Sequence, residues 1–147
     1  MKNNKEKRKL NKFIKGYYEA WNLHDVEKIA TFYTDDGVHE DVAVGNIFHG
    51  KDELKIGISP LFIAFPDFKM ELKFIINDAG MLAHEWVMSG THIGIIPEFG
   101  KSATGKSFLI RGVSITETRN GKISRNTDYW DLNTMHEQLG LKSKIKK

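Results

Sequence analysis

Two carboxylates, Asp128 and Asp131, bracket the pair Tyr129–Trp130 in the stretch SRNTDYWDLNTMHEQLG. They fall at the end of a predicted strand, just ahead of a predicted helix. Carboxylates are poor strand formers, so two of them beside two large aromatics need a reason. An Asp in an aromatic cavity supplies one. Burial raises a carboxyl pKa toward the working range, where the group can take a proton from carbon next to a carbonyl and return it elsewhere, with no cofactor. The enolate so formed needs hydrogen-bond donors, and the chain offers the Trp86 or Trp21 indole, the Tyr17 or Tyr129 hydroxyl, or His84. Along a regular strand Ile123, Arg125, Thr127, Tyr129 and Asp131 share one side, and Ser124, Asn126, Asp128 and Trp130 the other. One acid then faces each way. Each also has a structural reading. Asp131 is a good helix N-cap, and Asp128 can be exposed, or pair with Arg111 or Arg125. If Arg111 and both acids turned inward, the trio would instead position water for hydrolysis of the epoxide type.

A second chemical face lies on the stretch Met81–His92. Leu82, His84, Trp86, Met88 and His92 alternate there with Ala83, Glu85, Val87, Ser89 and Thr91. The first set is bulkier and is the expected cavity wall, although Met and aromatic stripes are also what a plain core uses. His84 and His92 are eight residues apart, roughly 26 Å on an extended strand, too far to share one metal. With no cysteine in the chain, a zinc site would need His and carboxylates alone. No metal and no cofactor are expected.

These residues need elements to position them. Leu10, Phe13, Ile14, Tyr17 and Trp21 follow the i, i+3, i+4 rule, which predicts a helix over about Lys5 to Leu23. Asp25 can cap a second short helix carrying Val26, Ile29, Phe32 and Tyr33. The residues TDDG, Thr34 to Gly37, read as a turn before a short strand at Val38–Val44. A third helix follows Gly50, with Leu54, Ile58, Leu61, Phe62 and Phe65 inward, and stops at Pro66. The period then changes to two. Phe68, Met70, Leu72, Phe74 and Ile76 form the apolar side of a half-buried strand. Strands at Met81–His92, Ser107–Thr118 and Lys122–Tyr129 complete a meander. The Asn-Gly at 120–121 predicts a type I′ hairpin turn. A last helix ends at Gly140. Helices grouped ahead of an antiparallel sheet make an α+β chain. A sheet of this size curls, and three N-terminal helices can cover its concave face and leave a pocket, the default place for a ligand.

The chain of 147 residues suits one domain, with a core over about 10–141. Its net charge of +3 comes from the ends. Residues 1–15 hold seven Lys/Arg against one Glu, and 142–147 hold four Lys. The body between them is acidic. Charge blocks at termini are usually solvated, so the ends read as flexible basic tails, not as a nucleic-acid surface. No apolar run is long enough for a membrane span and no signal core follows the basic N-terminus, so a cytoplasmic protein is expected.

The segments YYEAWNLHDVEKIATFYTDDGVHED, FHGKDELK, FPDFKMEL, HEWVMSGTHIG, RGVSITETRNGKI and DYWDL…QLG together resemble the SnoaL-like polyketide cyclase and ester cyclase group of the nuclear transport factor 2-like superfamily. The resemblance runs from about Phe13 to Leu141. It implies a cone-shaped α+β fold, a curved antiparallel sheet covered by three helices, and often a homodimer. It also implies that Asp131, nine residues before the Gly of QLG, stands where the cyclases have their acid/base carboxylate. The expected site is therefore Asp131 and Asp128, lined by Tyr17 and Trp21, by Phe62, by His84, Trp86 and Met88, and by Arg111, Tyr129 and Trp130. The expected function is cofactor-free cyclisation or isomerisation of a small apolar or aromatic molecule. Non-catalytic binding of such a molecule and hydrolysis are the alternatives. The histidine expected on the strand before the hairpin is missing from Phe108–Arg119.

Overall fold

A computed structural model describes residues 2–142. Helix α1 (Lys2–Asn22) is followed by α2 (Val26–Thr31), strands β1 (Tyr33–Asp41) and β2 (Asn46–His49), and helix α3 (Gly50–Ala64). Strands β3 (Lys69–Asp78), β4 (Met81–Thr91), β5 (Ser107–Arg119) and β6 (Lys122–Trp130) come next, and helix α4 (Leu132–Leu139) closes the order. The six strands form one sheet in the order β2-β1-β6-β5-β4-β3. All neighbours are antiparallel except β1 and β6, which run parallel. The sheet is thus mixed, where an antiparallel one was expected. The helical segment α3 and the whole meander separate β1 from β6, a separation long enough for a parallel return.

Helix α1 turns Ile14, Tyr17, Tyr18 and Trp21 into the core, the face its spacing announced. Full burial of one such side chain contributes about 1.5–3 kcal/mol. Asp25 caps α2 by accepting from the Lys28 N–H at 3.0 Å. In α3, Leu54 and Ile58 are buried and Leu61 and Phe62 are half-buried, while Pro66 forbids continuation. The type I′ turn is present, with φ of 53° at Asn120 and 75° at Gly121.

Three expectations change. The basic N-terminal run is not a frayed tail but the opening of α1, tied to β3 where the Asn77 amide donates to the Lys7 carbonyl at 3.4 Å. The C-terminal basic run from 143 onward lies outside the described residues. Residues 34–37 are not a free turn: they sit inside β1, where its register against β6 shifts between Tyr33 and Val38. In β3 a shift between Leu72 and Phe74 swaps the faces, so Phe74 and Ile76 are exposed and Ile75 packs on the core. A third shift lies in the β5–β6 pair between Glu117 and Thr118. Such bulges bend a strand and add twist. The curved sheet contacts α1 through β3 and α3 through β1, so the helices close over its two ends.

Candidate active site

Between the helices and the sheet's inner face lies a cavity of about 130 Å³. Alternation places its polar wall. In β6, Asn126, Asp128 and Trp130 face inward, opposite Thr116, Ser114 and Gly112 of β5. In β1, His39 and Asp41 are the parallel partners of Asn126 and Asp128. From β4 come His84, Trp86 and Met88, and from α1 come Tyr17, Tyr18 and Trp21.

Asp128 is the hub. Its side chain is 18% exposed, and its Oδ2 lies 3.2 Å from Nε2 of His39, itself 4% exposed. Its Oδ1 accepts from Ser114 Oγ at 2.5 Å and from Asn126 Nδ2 at 2.7 Å. The donors behind these are themselves fed. Trp86 Nε1 donates to Ser114 Oγ at 2.8 Å. Thr116 Oγ1 donates to Asn126 Oδ1 at 2.6 Å, so it must accept from His84 Nε2 at 2.7 Å. That leaves His84 Nδ1 as the acceptor for the Tyr18 hydroxyl at 2.5 Å. Hydrogen positions follow here from donor and acceptor capacity. Burial lowers His84 to about 4, so it is neutral at pH 7, as this tautomer requires.

The third arm runs the other way. His39 Nδ1 meets the Tyr33 hydroxyl at 2.7 Å, and Tyr33 meets the Tyr17 hydroxyl at 2.6 Å. Its polarity depends on His39. With the ring neutral and Nε2–H on Asp128, Tyr33 donates to Nδ1 and Tyr17 donates to Tyr33. With the ring charged, Nδ1–H donates to Tyr33, Tyr33 donates to Tyr17, and the Tyr17 proton is free to point into the cavity.

Electrostatics separates the two half-buried acids. Burial alone would push the Asp128 carboxyl up, but the His39 charge and the hydrogen bonds from His39, Ser114 and Asn126 outweigh it and hold the group below the ordinary carboxylate range. Asp41 goes the other way: burial and then the charge of Asp128 raise it, despite donors from Val44 N and Trp130 Nε1. The two neighbouring carboxyls are thus pushed in opposite directions. The expectation that the aromatic cavity raises the pKa of the base therefore fails for Asp128 and describes Asp41.

Of the residues singled out from sequence, Tyr17, Trp21, His84, Trp86, Met88, Asp128 and Trp130 line the cavity. Four do not. Asp131 is exposed, because the strand has ended; its carboxylate caps α4, accepting from Thr134 N at 3.1 Å and Thr134 Oγ1 at 2.7 Å. Arg111 is 76% exposed on the outer face, 4.0 Å from Glu85. Tyr129 is 49% exposed on the same face. Phe62 stands off the lining, stacked on His24 with ring centres 4.4 Å apart. The epoxide-opening trio is thus not assembled. The donors expected for an enolate are largely engaged: Trp86 by Ser114, and both His84 nitrogens by Tyr18 and Thr116. The Tyr17 hydroxyl becomes available in the charged state of His39. Sequence reading passed over His39 and Asp41, two apart in VHED, whose shared strand face was the available signal. Among the described residues, no cluster of three or more His or carboxylate groups is placed to hold a metal.

The fold is that of the nuclear transport factor 2-like proteins, with carboxylates set in an aromatic pocket. The SnoaL-like polyketide cyclase model matches residues 11–139, and the chain belongs to that family. Its structure is similar to IdmH of Streptomyces antibioticus, a proposed polyketide cyclase, at 25% identity and a TM-score of 0.74, covering 90% of this chain and 99% of that one. It is similar to a proposed SnoaL-like polyketide cyclase of Jannaschia sp. CCS1 at 11% identity and a TM-score of 0.81, covering 92% and 94%. A protein of Catenulispora acidiphila with a ketosteroid isomerase-like fold, crystallised with trimethylamine, gives 17% and 0.79, covering 92% and 97%. No curated protein matches the chain.

Proposed function

We propose that the protein catalyses cofactor-free proton transfer next to a carbonyl, leading to cyclisation or isomerisation, with Asp128 as base. The observation that carries this reading is the half-buried Asp128 carboxylate, kept ionised by His39, Ser114 and Asn126 inside a largely apolar cavity. A carboxylate has about four acceptor positions. Three are taken, and the free one belongs to Oδ2. That oxygen removes a proton from the carbon beside the carbonyl. The C–H electron pair moves into the new C=C bond, and charge passes to the carbonyl oxygen. The Tyr17 hydroxyl, freed when His39 is charged, donates to that oxygen. The enolate carbon then attacks a second carbonyl in the same molecule, or is reprotonated at another carbon. The proton that Asp128 took is then given to the product oxygen, or to that other carbon, which restores the carboxylate. Family membership supports a small-molecule reaction of this class.

The test needs no natural substrate. Cyclohexanone in D2O exchanges its α-protons, and NMR follows the exchange. The protein accelerates it above the buffer rate, and Asp128→Asn removes about 10²-fold or more of that acceleration, the usual worth of a positioned base. Equal rates for wild type and Asp128→Asn, with both folded, would overturn the proposal.

A further inference from the structure

We infer that the cavity takes a carbonyl compound of one ring, or an open chain of the same bulk, and not a fused polycycle. This rests on the proposed proton-transfer chemistry at Asp128 and specifies its substrate. The first ground is volume. The cavity measures about 130 Å³, and an engineered apolar cavity of about 150 Å³ holds one benzene. One ring fills that volume.

The second ground is that two of the walls are closely packed from behind. The Phe48 ring lies against the backbone of α3 at Gly57, where a Cβ would stand 2.3 Å from it. The ring also lies near-parallel to that of His39, with centres 6.3 Å apart and planes 12° apart. Phe48 is therefore held between a helix backbone and the imidazole that pairs with Asp128. The Trp86 indole is pressed on Gly112 in the same way, with a Cβ there 2.3 Å from the ring, and its N–H is fixed on Ser114. Both glycines are spaces already filled by a ring. Close-packed walls of this kind resist enlargement, since moving them breaks dispersion contacts on both sides. A large ligand would have to shift α3 or evict an aromatic ring.

The third ground is the placement of polar groups. Asp128 and Tyr17 both line this small space, and the rest of the lining is largely apolar. A cyclic ketone or a cyclic 1,3-dicarbonyl satisfies both: an acidic C–H for Asp128, the adjacent oxygen for Tyr17, and an apolar remainder for Phe48 and Trp86.

The experiment is a calorimetric titration of the full chain with phenol, 2-naphthol and 2-anthrol, planar mimics of one-, two- and three-ring enols, at one pH. Burial of area alone predicts tighter binding with each added ring. The inference predicts the reverse: phenol saturates the site, 2-naphthol binds at least tenfold more weakly, and 2-anthrol gives no saturable heat. Phe48→Ala removes one fixed wall and should tighten 2-naphthol at least tenfold, a gain that a misfolded variant cannot give. Wild-type binding of 2-naphthol or 2-anthrol as tight as that of phenol would overturn the inference. So would absent phenol binding, or unchanged 2-naphthol affinity in Phe48→Ala. The deuterium exchange of cyclohexanone separates the two ideas. If large rings bind while exchange still depends on Asp128, only the size inference fails. If the size order holds while Asp128→Asn exchanges at the wild-type rate, only the proposed chemistry fails.

Discussion

At the residue scale, one histidine decides what the acids do. Asp128 sits in surroundings that would neutralise it, and the imidazole of His39 with two neutral donors keeps it an anion. Asp41, its neighbour across the parallel pair, rises because burial and the charge of Asp128 outweigh what Val44, Trp130 and His39 contribute. The signs of their stability effects are opposite. A lowered native pKa contributes stability that is present above the ordinary carboxylate value of about 4 and lost as pH falls through the native value. A raised one is fully favourable below about 4 and lost as pH rises through the native value. Ionised Asp41 is therefore a cost at neutral pH. The melting temperature of Asp41→Asn minus that of wild type should become more positive between pH 4 and pH 7. A flat or falling difference contradicts the assignment. Asp131→Asn is the contrasting case. Asn caps a helix about as well as Asp, so stability and exchange activity should both survive. A loss of about 10²-fold in exchange would return the base to Asp131.

At the element scale, most of the frame was legible in the sequence. The helical spacing of Ile14, Tyr17 and Trp21, the Asp25 cap, the Asn120–Gly121 turn and the Gly140 stop are local signals, and local signals read directly. The face of Asp128 was not local. Counted back from a two-residue turn, Asp128 would lie opposite Val113 on the outer face. The register shift between Glu117 and Thr118 moves it opposite Ser114 on the inner face. The shift in β3 likewise turned Phe74 outward. A one-residue bulge leaves composition and alternation almost unmarked, yet it reverses every side chain beyond it. His39 was hidden for a related reason, since its partner arrives by a parallel pairing between the first and last strands. The glycine in α3 gives an element-scale test. Gly57→Ala would drive Phe48 toward the cavity. It should weaken phenol binding by about tenfold or more while the helical circular dichroism is kept, because Ala is the better helix former by about 1 kcal/mol. Unchanged phenol affinity would show that Phe48 is not a fixed wall.

At the scale of the whole molecule, the sheet has two characters. Its inner face is covered by helices, and its outer face leaves Leu109 63% exposed beside Val113 and Tyr129, which are cross-strand partners. Apolar strand surface of this kind favours pairing with another face. We expect a homodimer through it. Sedimentation velocity at micromolar concentration should give twice the chain mass, and a clean monomer would count against it. No helix is long and apolar enough to cross a membrane among the described residues.

The account stands on an Asp128 that remains charged inside an aromatic cavity because His39 holds it there. The carboxyl carbon of Asp128, followed by ¹³C NMR in specifically labelled protein, reports this directly. It should titrate below the ordinary carboxylate value of about 4 in the wild type. In His39→Gln, with the charge gone and burial unopposed, it should titrate above that value. An Asp128 that titrates at or above about 4 in the wild type, or that does not move in His39→Gln, would contradict the account.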